Sequence, residues 1–196
     1  RGPGAAHRVA DGGSDTHVEV NPTTGMLYFS AQVLVAGESF SVSSDHGDSF
    51  PETHQQSQVN TATGSDRQWV APAGTGFDTS QGPVKAFFAY HVPLVSQFIH
   101  GVDPAGKVLP QPAAQILNVT QSGPLRVDIN KDSRGYGWIY QPYQGFTDDQ
   151  RGTAIRVATA PAADYASPAA WQKSTVAART PVIFPWLDLD SAGNAY

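Results

Sequence analysis

One short phrase recurs along this 196-residue chain in a fixed register, and that spacing constrains the fold more than any other feature. The phrase is a pair of alternating apolar residues, a turn containing Asn, Asp or Pro, a Gly, and an aromatic three residues after the Gly. It occurs as Val18-Glu19-Val20-Asn21-Pro22-Thr23-Thr24-Gly25-Met26-Leu27-Tyr28. It returns as Val127-Asp128-Ile129-Asn130, running on to Gly137-Trp138-Ile139-Tyr140, and as Leu187-Asp188-Leu189-Asp190-Ser191-Ala192-Gly193-Asn194-Ala195-Tyr196. Tyr140 follows Tyr28 by 112 positions and Tyr196 follows Tyr140 by 56, so a further copy is expected near position 84. A constant period means that each unit is one supersecondary structure, which buries its faces against its neighbours.

The local chemistry makes each phrase a hairpin. Alternation places Val18 and Val20 on one face of a strand and Glu19 on the other. Pro22 and Gly25 supply turn dihedrals that branched residues resist, and the closing aromatic packs on a β face. The expected extra copy reads Trp69-Val70-Ala71-Pro72, a Gly-rich insertion from Gly74 to Gly82, then Val84-Lys85-Ala86-Phe87-Phe88-Ala89-Tyr90. Further alternating stretches follow at Glu38 to Ser43, Ser96 to Val102 and Thr153 to Thr159, with Gln115 to Val119 as a fourth strand of the second unit. Four antiparallel strands per period predict an all-β chain of β-propeller blades. A β-sandwich is the alternative, although sandwich strands have no reason to repeat a Gly-to-Tyr spacing at a fixed period.

Composition agrees with short strands and many turns: 19 Gly and 15 Pro are spread along the chain. The best helical candidate, Ala158 to Ala170, is interrupted by Pro161 and Pro168. A net charge of −5, with Lys and Arg scattered, argues against a nucleic-acid partner. No apolar run approaches ~20 residues, so no membrane span is expected. The chain has no Cys, which excludes disulfides and thiolate metal sites. Asn118-Val119-Thr120 is a glycosylation sequon, of consequence only in a eukaryotic secretory pathway.

Ser43-Ser44-Asp45-His46-Gly47-Asp48-Ser49-Phe50 follows the third expected strand of the first unit. It fits Ser-x-Asp-x-Gly-x-x-aromatic, with Ser43, Asp45, Gly47 and Phe50 at the defining positions. Such Ser and Asp side chains can bond local backbone N–H groups, and Gly can take a positive φ. With this motif the chain resembles the sialidase-like propellers built from BNR, or Asp-box, repeats. Asp66-Arg67-Gln68-Trp69 is similar to a phrase common in bacterial members. The resemblance covers nearly the whole chain as blade pattern, but only one Asp-box is intact. The turns at Asp103-Pro104-Ala105-Gly106 and near Ala160 to Trp171 have lost the consensus.

The resemblance implies one domain, 1–196, that is part of a propeller of roughly six or seven blades. About three to three and a half blades fit this chain: approximately residues 17–68, 69–126 and 127–185, and the start of another at 186–196. The remaining blades are expected from the same longer chain or from a partner chain. The start, Arg1-Gly2-Pro3-Gly4-Ala5-Ala6, lacks an initiator Met and an apolar signal core, and reads as internal or processed. An extracellular or periplasmic location is the expectation. The family's Asp-box is structural and faces away from the ligand, which removes Asp45 and Asp48 as catalytic candidates.

Ligands of propellers sit near the central axis, at the loops leading into the innermost strands. Aligning the repeats places Asp15-Thr16-His17, Asp66-Arg67-Gln68, Pro124-Leu125-Arg126 and Phe184-Pro185-Trp186 there. The candidate ligand-binding rim is therefore Asp15, His17, Asp66, Arg67, Arg126 and Trp186. Arg67 and Arg126 suit a carboxylate, and Trp186 suits sugar stacking. An Asp66–Arg67 contact that merely fixes a blade junction is the plain structural alternative. Sialidases use three such Arg, an Asp acid/base and a Tyr nucleophile paired with Glu. Here two Arg align, with Arg179 a distant third. The family's Phe-Arg-Ile-Pro motif is absent, and the three Glu residues, Glu19, Glu38 and Glu52, all lie in the first unit with no Tyr beside them in sequence. The expected function is a non-catalytic module that binds a glycan or protein or serves as a scaffold; the alternative is a fragment of a sialidase-like glycoside hydrolase, with no catalytic residue assigned. No cofactor is expected. Asp128-x-Asn130-x-Asp132 opens like a calcium loop, but Gly135 is misplaced and Ile139 stands where a closing Glu belongs. The six His have no ligand spacing for zinc.

Overall fold

The computed structural model describes residues 15–33, 37–56, 64–110, 113–149, 152–178 and 184–196. The described chain is all-β, with three antiparallel sheets. The first sheet runs β1 (Thr16–Val20), β2 (Leu27–Val33), β3 (Gly37–Ser43), β4 (Glu52–Gln56), in chain order. The second has β5 (Asp66–Thr79), β6 (Gly82–Val92), β7 (Ser96–Val102) and β8 (Ile116–Leu117) in the same order. The third orders β10 (Arg126–Val127), β11 (Trp138–Phe146), β12 (Thr153–Pro161) and β13 (Gln172–Ala178), and β9 (Val119–Ser122) adds to it by pairing with β11. A last hairpin closes through a Leu189–Ala195 bridge. Among the described residues the sheets close into neither a barrel nor a ring.

The repeated phrase folds the same way three times. Asn21, Asp128 and Asp190 each receive the N–H two residues on in a side-chain oxygen, at 3.0, 3.0 and 2.8 Å. Each also accepts, on its own carbonyl, the N–H of the phrase's glycine: Gly25, Gly137 and Gly193. Those glycines have φ of 73, 77 and 79°, in the left-handed region that a side chain resists. The aromatic then falls in the same place. Tyr28 pairs with Glu19, Tyr140 with Arg126, and Tyr196 exchanges both backbone hydrogen bonds with Asp188.

Two apolar cores separate the three sheets, and β6 lies between them. Phe87 and Ala89 join the core shared with the third sheet, where Ile139, Ala158, Ala160 and Tyr165 pack. Ala86, Phe88 and Tyr90 join the core shared with the first sheet, with Tyr28, Phe40 and Val42. Residues 86–92 are buried without a break, as expected for a strand covered on both faces. By contrast, Val18 and Val20 of β1 are about half exposed, at 50 and 52%. The apolar face inferred from alternation is thus the open one, and His17 and Glu19 face the neighbouring sheet's side.

Several sequence expectations shift. The Gly74–Gly82 insertion is strand: β5 continues to Thr79 through a bulge between Pro72 and Phe77, with Gly74 and Gly76 at φ of 58 and 101°. A Cβ on Gly76 would lie 2.5 Å from the Val84 carbonyl oxygen, so the glycine permits this close approach. The expected fourth strand 115–119 breaks at Asn118, whose φ is 62°. Its first half pairs with β7, and Val119 onward crosses to the third sheet. The second sheet begins at Asp66 rather than residue 69. The Ala-rich stretch ends β12 and then makes two single 3-10 turns, Ala162–Asp164 and Pro168–Ala170.

Candidate functional site

The first strands of the hairpins converge. Since Glu19, Arg126 and Asp188 occupy equivalent positions opposite the three tyrosines, their meeting is informative. Arg126 reaches Glu19 at 3.3 Å and Asp188 at 3.2 Å. One guanidinium thus ties β1, β10 and the last hairpin together. Two residues earlier on these arms stand His17 and Trp186, and Trp69 of β5 lies between them. Trp69 meets His17 edge-on at 5.0 Å and Trp186 edge-on at 6.0 Å between ring centroids. The Val70 N–H donates to His17 Nδ1 at 3.0 Å, which leaves the ring proton on Nε2, 3.4 Å from the Glu19 carboxylate. Burial opposes ionisation of Glu19, yet the His17 hydrogen bond and the positive charge of Arg126 outweigh it and lower its pKa.

Arg67 forms a second group on the same end of the sheets. Its Nε lies 3.4 Å from the Asp15 carboxylate, and its guanidinium sits over the Phe184 ring at 4.2 Å. Arg67 and Phe184 both have left-handed backbones, φ 54 and 64°, uncommon outside glycine. Trp186, 65% exposed, stands beside Arg126, whose guanidinium is 5.8 Å from its centroid. Both arginines are therefore already matched by carboxylates, and a ligand carboxylate has to compete for them.

Beneath Asp66 lie ionisable side chains shut off from solvent. His91 is fully buried, 3.1 Å from the Ser122 hydroxyl at Nδ1 and 3.9 Å from Asp66 at Nε2. Burial depresses its pKa to about 4 against the pull of Asp66, so it is neutral at pH 7 and the approach to Asp66 is no ion pair. Glu38, 1% exposed, accepts from the Ser65 hydroxyl at 2.6 Å, while its Oε2 has no hydrogen-bond partner. Burial raises its pKa to about 8, aided by Asp66 and Asp15. Burial and the Glu38 charge also raise Tyr90. Glu38 and Tyr90 are thus near each other despite their distance in sequence, but both are held protonated and out of solvent.

The Ser43–Phe50 turn lies at the opposite end of β3 from Glu38. The Gly47 N–H donates to Ser43 Oγ at 2.9 Å, Ser43 Oγ donates to Asp45 at 2.6 Å, and the Ser49 N–H and hydroxyl both donate to the Asp45 carboxylate. These bonds, the Ser43 hydroxyl first, hold Asp45 down at about 2. Phe50 packs on Phe29 at 6.2 Å. At the next sheet's corresponding turn Asp103 receives the N–H groups of Ala105 and Lys107 in one carboxylate oxygen, replacing Ser43 in its two backbone contacts. The calcium-like Asp128 is spent likewise: Asn130 and Ser133 donate to its two oxygens.

The structure brings Asp15 to Arg67, His17 to Trp69, and Arg126 to Trp186. Arg67 pairs with Asp15 and not with Asp66, which faces His91 instead. Arg126 aligns with Glu19, one residue pair deeper than the rim position assigned from sequence. Arg179 and the side chain of Glu52 lie outside the described residues. Sequence reasoning missed Glu19, Asp188, Trp69 and Phe184. A register anchored on the three tyrosines, instead of on the loops, would have aligned the first two. No protein-family model matches the chain, and no curated protein matches it.

Proposed function

We propose that the chain forms consecutive blades of a sialidase-like β-propeller, and that the end of the sheets bearing Trp186 binds a glycan. The radial arrangement is supported by one observation: three equivalent residues from separate hairpins, Glu19, Arg126 and Asp188, meet at one point. A two-sheet sandwich has no such common edge. The half-exposed valines of β1 suit cover by another sheet of the same kind, from this chain's own protein or a partner. An exposed indole held edge-on by a second indole, beside hydrogen-bonding charges already fixed in place, is the combination that pyranose rings stack upon. The setting we infer is extracellular or periplasmic.

Binding of sialyllactose, lactose and unsialylated glycans, measured by calorimetry, tests this reading. Trp186→Ala is expected to abolish binding and leave thermal unfolding unchanged. Equal glycan affinity in that variant, or none in the parent chain, removes it. A hydrolase is the second reading, favoured by the left-handed, partly exposed Arg67 paired with Asp15. Release of 4-methylumbelliferone from a sialoside, lost on Arg67→Ala and Arg126→Ala, would support it. The protonated, buried state of Glu38 and Tyr90 weighs against it, because a Tyr nucleophile needs a lowered pKa and substrate access.

A further inference from the structure

We infer that the cleft between the second and third sheets is a separate binding site for a small carboxylate- or phosphate-bearing ligand. The cleft holds about 500 Å³, within the size range of small-molecule sites. It is distinct from the Trp186 end: Leu117, Asn118, Tyr143, Phe146, Arg156 and Lys173 line it. A smaller cavity of about 290 Å³ continues from it, sharing Thr147, Asp148 and Arg156.

Two cations face this space. The Arg156 side chain is largely buried, at 16% exposure, and stands opposite Tyr143 across β11 and β12. Its guanidinium pairs with Asp148, and its Nε has no hydrogen-bond partner. Asp148 is 91% exposed, so that pair is worth little and an external anion can take the carboxylate's place. Lys173 supplies a second positive group from β13, on a strand face open to solvent. Asn118 is exposed in the left-handed turn between β8 and β9 and lines the cleft beside them. Leu117 and Phe146, both exposed, give an apolar wall for the rest of the ligand. A planar fork that is pre-positioned, with a solvent-exposed internal competitor and a lysine in the same lining, suits a carboxylate or a phosphate oxygen pair.

The experiment titrates the protein with sodium acetate, inorganic phosphate and, as a neutral probe, methyl α-glucoside, and follows Arg156 Nε–H and backbone amide resonances. Saturable shifts at Arg156 and Lys173 with acetate or phosphate, and none with the glucoside, are expected. Response to one anion alone identifies the head group. Lys173→Gln, at an exposed position, weakens binding by about tenfold, Asp148→Asn tightens it, and Trp186→Ala leaves it unchanged. The assignment is overturned if neither anion moves Arg156, or if sodium chloride at equal ionic strength or the glucoside reproduces the shifts. Unaltered affinity in Lys173→Gln overturns it as well.

Discussion

Three buried ionisable side chains set how this protein responds to pH. Glu38 titrates near 8 in the folded chain against about 4.5 unfolded, so the folded state holds the extra proton between those values and stability falls as pH rises through that window. His91 and His100 titrate near 4 in the folded chain, with burial the main cause, against 6.5 unfolded. There the unfolded state holds the extra protons, and stability falls as pH drops from 6.5 toward 4. Below 6.5 two histidines oppose one glutamate, and above it Glu38 acts alone. Urea titrations across the range should therefore show maximal stability near pH 6.5. Glu38→Gln keeps the neutral shape and should flatten the alkaline limb; an unchanged limb would mean that Glu38 is ionised in the fold.

Element by element, the hairpins owe their shape to turn chemistry and the sheets owe their cohesion to β6. Phe88 is completely buried and packs on Phe40 at 5.4 Å and Tyr90 at 6.0 Å between centroids. Phe88→Ala should cost about 3–5 kcal/mol in denaturant unfolding. Gly76→Ala tests the bulge: a left-handed φ together with the 2.5 Å approach to the Val84 oxygen predicts a loss above ~1 kcal/mol. A neutral result would mean that β5 can straighten. Asp128→Ala removes two turn bonds from a carboxylate that is nearly inaccessible, and should cost about 1–2 kcal/mol by the same assay.

For the molecule as a whole, the question is whether the hairpins are coupled where their first strands meet. A double-mutant cycle on Glu19→Gln and Arg126→Gln should give a coupling of about 1 kcal/mol, falling with added salt because both groups are partly exposed. Additivity within error would show that the convergence contributes nothing to cohesion. The same cycle on Arg126 and Asp188 should give less, since the Asp188 side chain is 70% exposed.

By itself the sequence determined the strand class, the hairpins and their repeat, because these follow from local dihedral preference and from a period that survives in the order of residues. Asn21, Asp128 and Asp190 could be read as turn formers, and Ser43 to Phe50 as a closed turn, from the residues alone. The tertiary structure decided which face of β1 is covered, that Arg126 stands opposite Tyr140, and that Glu38 and Tyr90 share one buried environment. Alternation defines two faces without saying which one meets a neighbour. A one-pair slip in aligning separate strands moves a charge from the rim into the interior. Contacts between residues more than a hundred positions apart, such as Glu19 and Arg126, have no local signal at all; they exist only once the sheets have packed.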